Sequence, residues 1–353
     1  MRQRRHNTQP DARPKARPIA RFFCCAALAL LPACQPQGLD APFSDYVGKL
    51  GRALAVAAPE KEASVALTPP LATALQLDIP ASPVDSLDLL LLSGCAVQAN
   101  IGKRQTSLGR LAKPSQRLLL ELEYLRLAPA CISRLRNGNS NGNNPALADV
   151  LENAWREKQA QLPALLYNAT LGSDEYRAFW LATPAPGDYP RSGRDIAAAA
   201  MSAINDQARR LLSGDYRADN RDFELLLGEV AGGDGGAQLQ HWTQQIDWLA
   251  AADLMLAHAR EPSCSGPSRR AEVQRSMANH FSDTIQPLAT QSQQRYQLVA
   301  APALALEAQL DATLPPHYRH WMEERNQHVA TLTHAPAQHL ERLKRLQGKC
   351  SRD

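Results

Sequence analysis

Residues 93–134 read SGCAVQANIGKRQTSLGRLAKPSQRLLLELEYLRLAPACISR. From Pro114 onward, Leu118, Leu122, Leu125, Ala128, Ile132 and Leu135 recur at intervals of three and four residues. That spacing places them on one face of an α-helix. Pro129 is expected to kink or interrupt this helix, because its ring removes an N–H and crowds the preceding turn. Upstream, Ser82 is a candidate N-cap, Pro83 suits the first turn and Asp85 suits the third position. A helix is expected from there to about Arg104. It is apolar nearly all round through Leu87, Leu89, Leu90, Leu91 and Leu92, and therefore central. The two helices form a hairpin, and its connection, 105–114, reaches about 33 Å at full extension. That reach is enough to bring Cys95 to Cys131.

The rest of the chain follows the same helical logic, with no long period-two alternation. Residues 42–57 carry Phe43, Tyr46, Val47, Leu50 and Leu54 on one stripe, and 58–81 are Pro-rich and irregular. Further helices are expected at 146–170, 173–181, 194–213, 220–231, 237–260, 268–283, 284–311, 315–332 and 335–348. The Asn-rich stretch 137–145 reads as a loop and 232–236 (GGDGG) as a hinge. The fold class is all-α: an irregular multi-helix bundle of roughly ten helices. The expected organisation is a leader at 1–33, an anchor with the first helix and Pro-rich loop at 34–81, and a helical body at 82–353. Residues 137–145 are a candidate subdivision of that body.

Residues 1–21 are basic and polar, and 22–31 (FFCCAALALL) are apolar. Ten residues span about 15 Å as a helix, half of a hydrocarbon core of about 30 Å. A basic stretch, a short apolar stretch and small residues together read as a secretory signal peptide. Leu31-Pro32-Ala33-Cys34 resembles the bacterial lipobox. That resemblance implies cleavage before Cys34, acylation of Cys34 with diacylglycerol and a fatty acid such as palmitate, and a body facing the periplasm. Gln35 after the cysteine implies sorting to the inner face of the outer membrane, with the inner membrane as the alternative. After Cys34 four cysteines remain, and an even number in an oxidising compartment reads as two disulfides. Of three connectivities, Cys95–Cys131 with Cys264–Cys350 is preferred.

Charge divides unevenly. Residues 1–33 hold seven Lys/Arg and one acid, which leaves 32 basic and 34 acidic residues in the remainder. A body at −2 lacks the basic face that nucleic-acid binding requires.

The segments Gly94-Cys95, Arg104 to Gly109, Pro114-Ser115-Gln116-Arg117 and Cys131 together resemble the gammaproteobacterial family known as domain of unknown function 3080. Cys264, Gln286-Pro287, His339 and Cys350 extend the resemblance over nearly all of the chain after the leader. Where the family pattern carries Asn-Ser, this chain has Gln105-Thr106. The resemblance implies a lipoprotein address and this architecture, and it implies no activity.

Several constellations carry candidate chemistry. Arg104, Ser107, Gly109, Arg110 and Arg117 fall in the helix connection with Lys113. Basic residues near a helix start suit an anionic headgroup or acidic partner, so these five are the first choice for an interaction surface. His317, His320 and Glu324 lie at i, i+3 and i+7 and are weak metal candidates, against the simpler reading of a solvated helix face. Gly138-Asn139-Ser140-Asn141-Gly142 matches a hydrolase elbow in letters but lacks its strand. Asp174 and Glu175 suit the first turn of a helix better than acid–base work. Trp180, Trp242, Trp248 and Trp321 sit in helical stripes, as core or groove-lining residues. No catalytic set and no cofactor motif is read. The favoured function is a lipid-anchored envelope protein that binds a partner, with the membrane engaged through Cys34. A hydrolase or metalloenzyme using the His-rich C-terminal helix, and a carrier of an apolar ligand, are the alternatives.

Overall fold

The stripe at the head of the chain becomes helix α1 (Ala41–Leu54). Its Phe43, Tyr46, Val47, Leu50 and Leu54 are all buried, as their spacing requires. The computed structural model describes residues 40–59, 67–137, 143–184, 195–259 and 266–350. Residues from Pro36 onward form one compact unit. After α1 come a short α2 (Ala72–Leu75), two 3-10 turns at Pro83–Ser86 and Leu89–Leu92, α3 (Val97–Gln105) and a one-turn α4 (Ser107–Arg110). Then follow α5 (Pro114–Asn137), α6 (Pro145–Ala169), α7 (Asp174–Leu181), α8 (Ile196–Leu212), α9 (Asn220–Ala231), α10 (Gly235–His258) and α11 (Pro267–Arg275). A π-helical stretch, Ser276–Ile285, joins α11 to α12 (Gln286–Gln309), and α13 (Pro316–Cys350) closes the chain. No strand occurs among the described residues. Side-chain caps fix several starts: Asn144, Ser173, Asp195 and Asp219 each accept a first-turn backbone N–H.

Four expectations are corrected. The leucine-rich segment before Cys95 is not one central helix. Asp85 accepts from Ser82 N at 3.3 Å, but Asp88 caps a second start by accepting from Leu90 N at 2.9 Å, and Gly94 adopts a φ of +78°. Two starts and one left-handed residue leave two 3-10 turns, with Leu90 and Leu91 facing solvent. Pro129 does not interrupt α5. The carbonyl that its missing N–H would have paired is that of Leu125, and Trp155 Nε1 on α6 donates to it at 2.9 Å. The break expected at 333–334 is absent, because Leu332, His339 and Leu343 bury one continuous face of α13. The glycines at 232–236 are not a hinge. A Cβ on Gly236 would stand 1.9 Å from the Trp180 carbonyl oxygen, and one on Gly235 would meet the Phe179 ring. They let the start of α10 press against α7.

Two apolar cores share one wall. The α5–α6 hairpin gives Leu118, Leu122, Leu125, Leu162 and Leu165 to the larger core, which runs from α1 to α13. Its other end gives Tyr124, Ala128, Ile132, Leu147 and Leu151 to a smaller core with Val84, Leu92, Val97 and Ile101. The Cys95–Cys131 disulfide closes that smaller core, with its Cα atoms 5.4 Å apart. The second expected bridge concerns Cys264 and the side chain of Cys350, which lie outside the described residues.

The larger core contains buried charge. Arg325 is fully buried and donates to both oxygens of Glu307 at 2.8 and 2.7 Å. The hydroxyls of Tyr318 and Tyr176 donate to the same carboxylate at 2.6 and 3.0 Å. Trp180 and Trp321 face the guanidinium, with ring centroids 5.0 and 4.8 Å away. Burial opposes the charge on Arg325, but the bonds and charge of Glu307 hold its pKa above the ordinary value. A second buried link joins three helices: His339 on α13 meets the Tyr46 hydroxyl of α1 at 2.6 Å and Asp253 of α10 at 2.6 Å.

Two outcomes follow from these interior groups. Arg325→Met leaves Glu307 buried and unpaired, and denaturant titration should show a loss of about 3–5 kcal/mol. Glu307→Gln combined with Arg325→Met should cost less than that single change. The second outcome concerns His241. Burial holds its imidazole down to about 4, from an ordinary 6.5. The unfolded chain therefore takes up this proton at higher pH than the folded chain. The stability carried by the neutral ring is complete above about pH 6.5 and declines as the pH falls toward 4. His328, also lowered by burial, acts in the same direction. Melting temperature followed across that window should fall less steeply in His241→Gln.

Candidate functional site

The connection from α3 to α5 is built on buried charge. Glu121 of α5 is 3% exposed and meets Arg104 of α3 at 2.5 Å and Lys158 of α6 at 2.8 Å. Lys158 is 2% exposed and lies over the Tyr124 ring, 5.4 Å from its centroid. Arg104 also donates to both oxygens of Asp85 at 2.8 and 3.1 Å. The four groups sum to zero charge, as burial demands. Burial lowers the Lys158 pKa against the pull of Glu121. It would raise that of Asp85, but the bonds and charge of Arg104 hold it below the usual range.

The turn after α3 is shaped by Gln105 and Thr106. Gln105 Nε2 donates to the Leu87 carbonyl at 2.9 Å. Thr106 Oγ1 accepts from Gly109 N at 3.0 Å and donates to the Lys103 carbonyl at 2.7 Å. The threonine hydroxyl thus caps the one-turn α4. Gly109 is required here: a Cβ would come within 2.2 Å of the Lys103 carbonyl oxygen and 2.8 Å of Arg104 Cα. The tight turn throws Leu108 and Leu111 outward, 86% and 85% exposed.

Arg104, Gly109, Arg110 and Arg117 line one cavity of about 770 Å³, together with Asp85, Asp88 and Gln105. Arg104 faces it with its charge already neutralised from within. Arg110 is exposed. Arg117 donates to the Ile79 carbonyl at 2.9 Å. Ser107 is exposed on α4, outside that lining. On the other side of Gly109 and Ala112, a groove of about 710 Å³ runs along Leu108, Leu119 and Leu120 to Tyr216 and Asn220. A third cavity of about 410 Å³ adjoins Arg117 and the start of α5. The segment singled out in the sequence is thus the ridge between neighbouring cavities.

The other candidates are not brought together. His320 Nε2 stands 3.3 Å from Glu324 Oε1 on an exposed face, and His317 is exposed one turn away. Among the described residues, no three His, Cys, Asp or Glu side chains assemble as a metal-holding group. Asp174 and Glu175 occupy the first turn of α7, where Ser173 accepts from Tyr176 N. Trp180, Trp242 and Trp321 are core residues, 4%, 1% and 3% exposed. Ser140 and its glycines lie outside the described residues, as does Cys34. Sequence reasoning missed Glu121 and Lys158. The available signal was Glu121 on the stripe of Leu118 and Leu125, an acid where the periodicity asks for an apolar residue. Among the described residues no helix is long and apolar enough to cross a membrane.

Gly109→Ala should cost about 1–3 kcal/mol in thermal or denaturant unfolding, because backbone rather than a flexible side chain must move. Gly228 in α9 has open space around its Cβ position. Gly228→Ala should therefore be neutral or stabilising by about 0.5–1 kcal/mol.

No curated protein and no solved structure matches the chain. A family profile described as "Protein of unknown function (DUF3080)" matches residues 43–353, from the first buried aromatic of α1 past the end of α13. That match spans both cores and the whole ridge from Arg104 to Arg117, and the chain belongs to this family.

Proposed function

We propose that this protein is a lipid-anchored envelope protein, acylated at Cys34 and facing the periplasm, that acts by binding rather than by catalysis. The single observation that carries the binding reading is the placement of Arg104 to Arg117. A ridge bearing two solvent-facing leucines and the exposed cations Arg110 and Lys113 stands between cavities of about 770 and 710 Å³. Beneath it, buried charges are spent on one another. A rigidly supported ridge with uncovered apolar side chains is the form of a contact surface. The buried polar groups of the core support the same reading, since Glu307, Arg325, His339 and Asp253 serve to join helices and face no cavity described above.

The address rests on the residues themselves: a basic leader, FFCCAALALL, and Leu31-Pro32-Ala33-Cys34. Three acyl chains at one cysteine hold a protein far more firmly than the marginal grip of one. The oxidising compartment suits the Cys95–Cys131 bridge, and in this reading Cys264 and Cys350 form the second. The inner face of the outer membrane is the proposed location and an envelope protein or lipid the proposed partner class.

Fractionation tests the address. Cys34→Ser should move the protein from the salt-washed membrane fraction to the soluble fraction, and mass spectrometry of the wild-type N-terminus should find a triacylated Cys34. Retention of Cys34→Ser on washed membranes, or a mature N-terminus elsewhere, would contradict the anchor.

A further inference from the structure

The groove on the α9 side of the ridge has a chemistry of its own. Its floor is Leu119, Leu120 and Leu122 from α5, with Ala112 at one end and Leu108 at the mouth. Its rim carries Lys103, Arg126 and Arg217 against one carboxylate, Glu123. Two of those cations are partly answered: Lys103 stands 3.1 Å from Glu123, and Arg217 is held by Asp215 at 2.8 Å. Arg126 is exposed on α5 and shares with Lys103 the electrostatic pull of Glu123, so one carboxylate faces two cations. The lining therefore combines an apolar stretch of leucines with polar side chains, Thr106, Gln116, Tyr216 and Asn220, and an excess of cations over carboxylates. Its volume of about 710 Å³ is within the size range of small-molecule sites. At the mouth, Leu108 is 86% exposed, an apolar side chain left in water where a chain-like ligand would cover it.

We propose that this groove binds a single-chain anionic amphiphile, with the acyl chain along Leu119 and Leu120 and the anionic head against Arg126 and Lys103. This deepens the binding reading by naming a ligand class, and it does not depend on acylation of Cys34. An apolar floor alone would take any hydrocarbon. The excess of positive charge at the rim selects a carboxylate or phosphate head over a zwitterionic one. A fatty acid and a lysophospholipid share this chemistry.

The test uses the full chain carrying Cys34→Ser, so that no acyl chain of its own competes and a failed anchor leaves the result readable. Isothermal titration and native mass spectrometry are run with palmitate, 1-palmitoyl-lysophosphatidylglycerol, 1-palmitoyl-lysophosphatidylcholine and glycerol 3-phosphate. The expected result is saturable one-to-one binding of an anionic single-chain probe. The zwitterionic lipid should bind roughly tenfold or more weaker, and glycerol 3-phosphate should not bind. Whichever of palmitate and the anionic lysolipid binds more tightly identifies the source of the chain. Arg126→Glu should weaken the anionic probes by roughly tenfold and leave the zwitterionic one unchanged. Leu119→Glu should abolish binding of all of them. Leu225→Glu, on an exposed site of α9 outside the groove, should change nothing. Absence of saturable binding, equal affinity for the zwitterionic lipid, or binding indifferent to Arg126→Glu would overturn the proposal. Arg126 is exposed, so that variant tests the site even if Leu119→Glu fails to fold.

Discussion

A carboxylate at position 121 can be buried only if cations meet it. Removing a carboxylate from water costs several kcal/mol unless it is paired. The pairing for Glu121 comes from two directions, Arg104 on α3 and Lys158 on α6. Three helices are thereby obliged to converge at one point. Arg104 carries the constraint onward to Asp85, so the 3-10 turns before Cys95 are tied to the same centre. At the far end of the hairpin, Cys95–Cys131 fixes the same two segments covalently. With both ends held, the chain between α3 and α5 has little freedom except to project outward at Leu108 and Leu111. The ridge is a consequence of that buried charge.

The division of the molecule into two cores follows from the α5–α6 hairpin. Its faces are apolar in two registers. Leu118, Leu122 and Leu125 pack toward the large bundle, while Tyr124, Ala128 and Ile132 pack toward the small one. The buried polar links of the large core hold distant helices together: Glu307 with Arg325, and His339 with Tyr46 and Asp253. A protein whose interior charges are consumed in this way presents its remaining chemistry at its surface. The cavities around the ridge are where that chemistry collects.

Much of this was legible in the sequence, because helical periodicity reports burial directly. The stripes of α1 and α5 were readable residue by residue, and the Cys95–Cys131 pairing was the preferred one of three, within reach of the connection but not forced by it. Three features escaped, each for a physical reason. Four consecutive leucines look like a buried helix, but the competing starts at Ser82 and Asp88 and the left-handed Gly94 divide the segment into turns. Proline rules describe the local cost of Pro129 and Pro336. They do not anticipate that Trp155 satisfies the freed carbonyl, or that a long buried face carries α13 through. The glycines at 232–236 suggest flexibility in one dimension, whereas in three Gly233, Gly235 and Gly236 are places where only hydrogen fits against α7. The candidate site was legible in outline: the segment Arg104 to Arg117, singled out in the sequence, lies along neighbouring cavities. That Arg104 is internal to the support, and that the groove is lined from α5, needed the tertiary arrangement.

The claim at the centre of this account is that the ridge and its groove meet an amphiphile in the cell. A photoreactive residue placed at Leu108, with the exposed Leu225 outside the groove as a comparison, tests it in living cells by mass spectrometry of the adducts. The account predicts lipid-mass adducts from position 108, few from position 225, and their loss in Arg126→Glu. Equal labelling at both positions, or protein adducts alone at position 108, would contradict it.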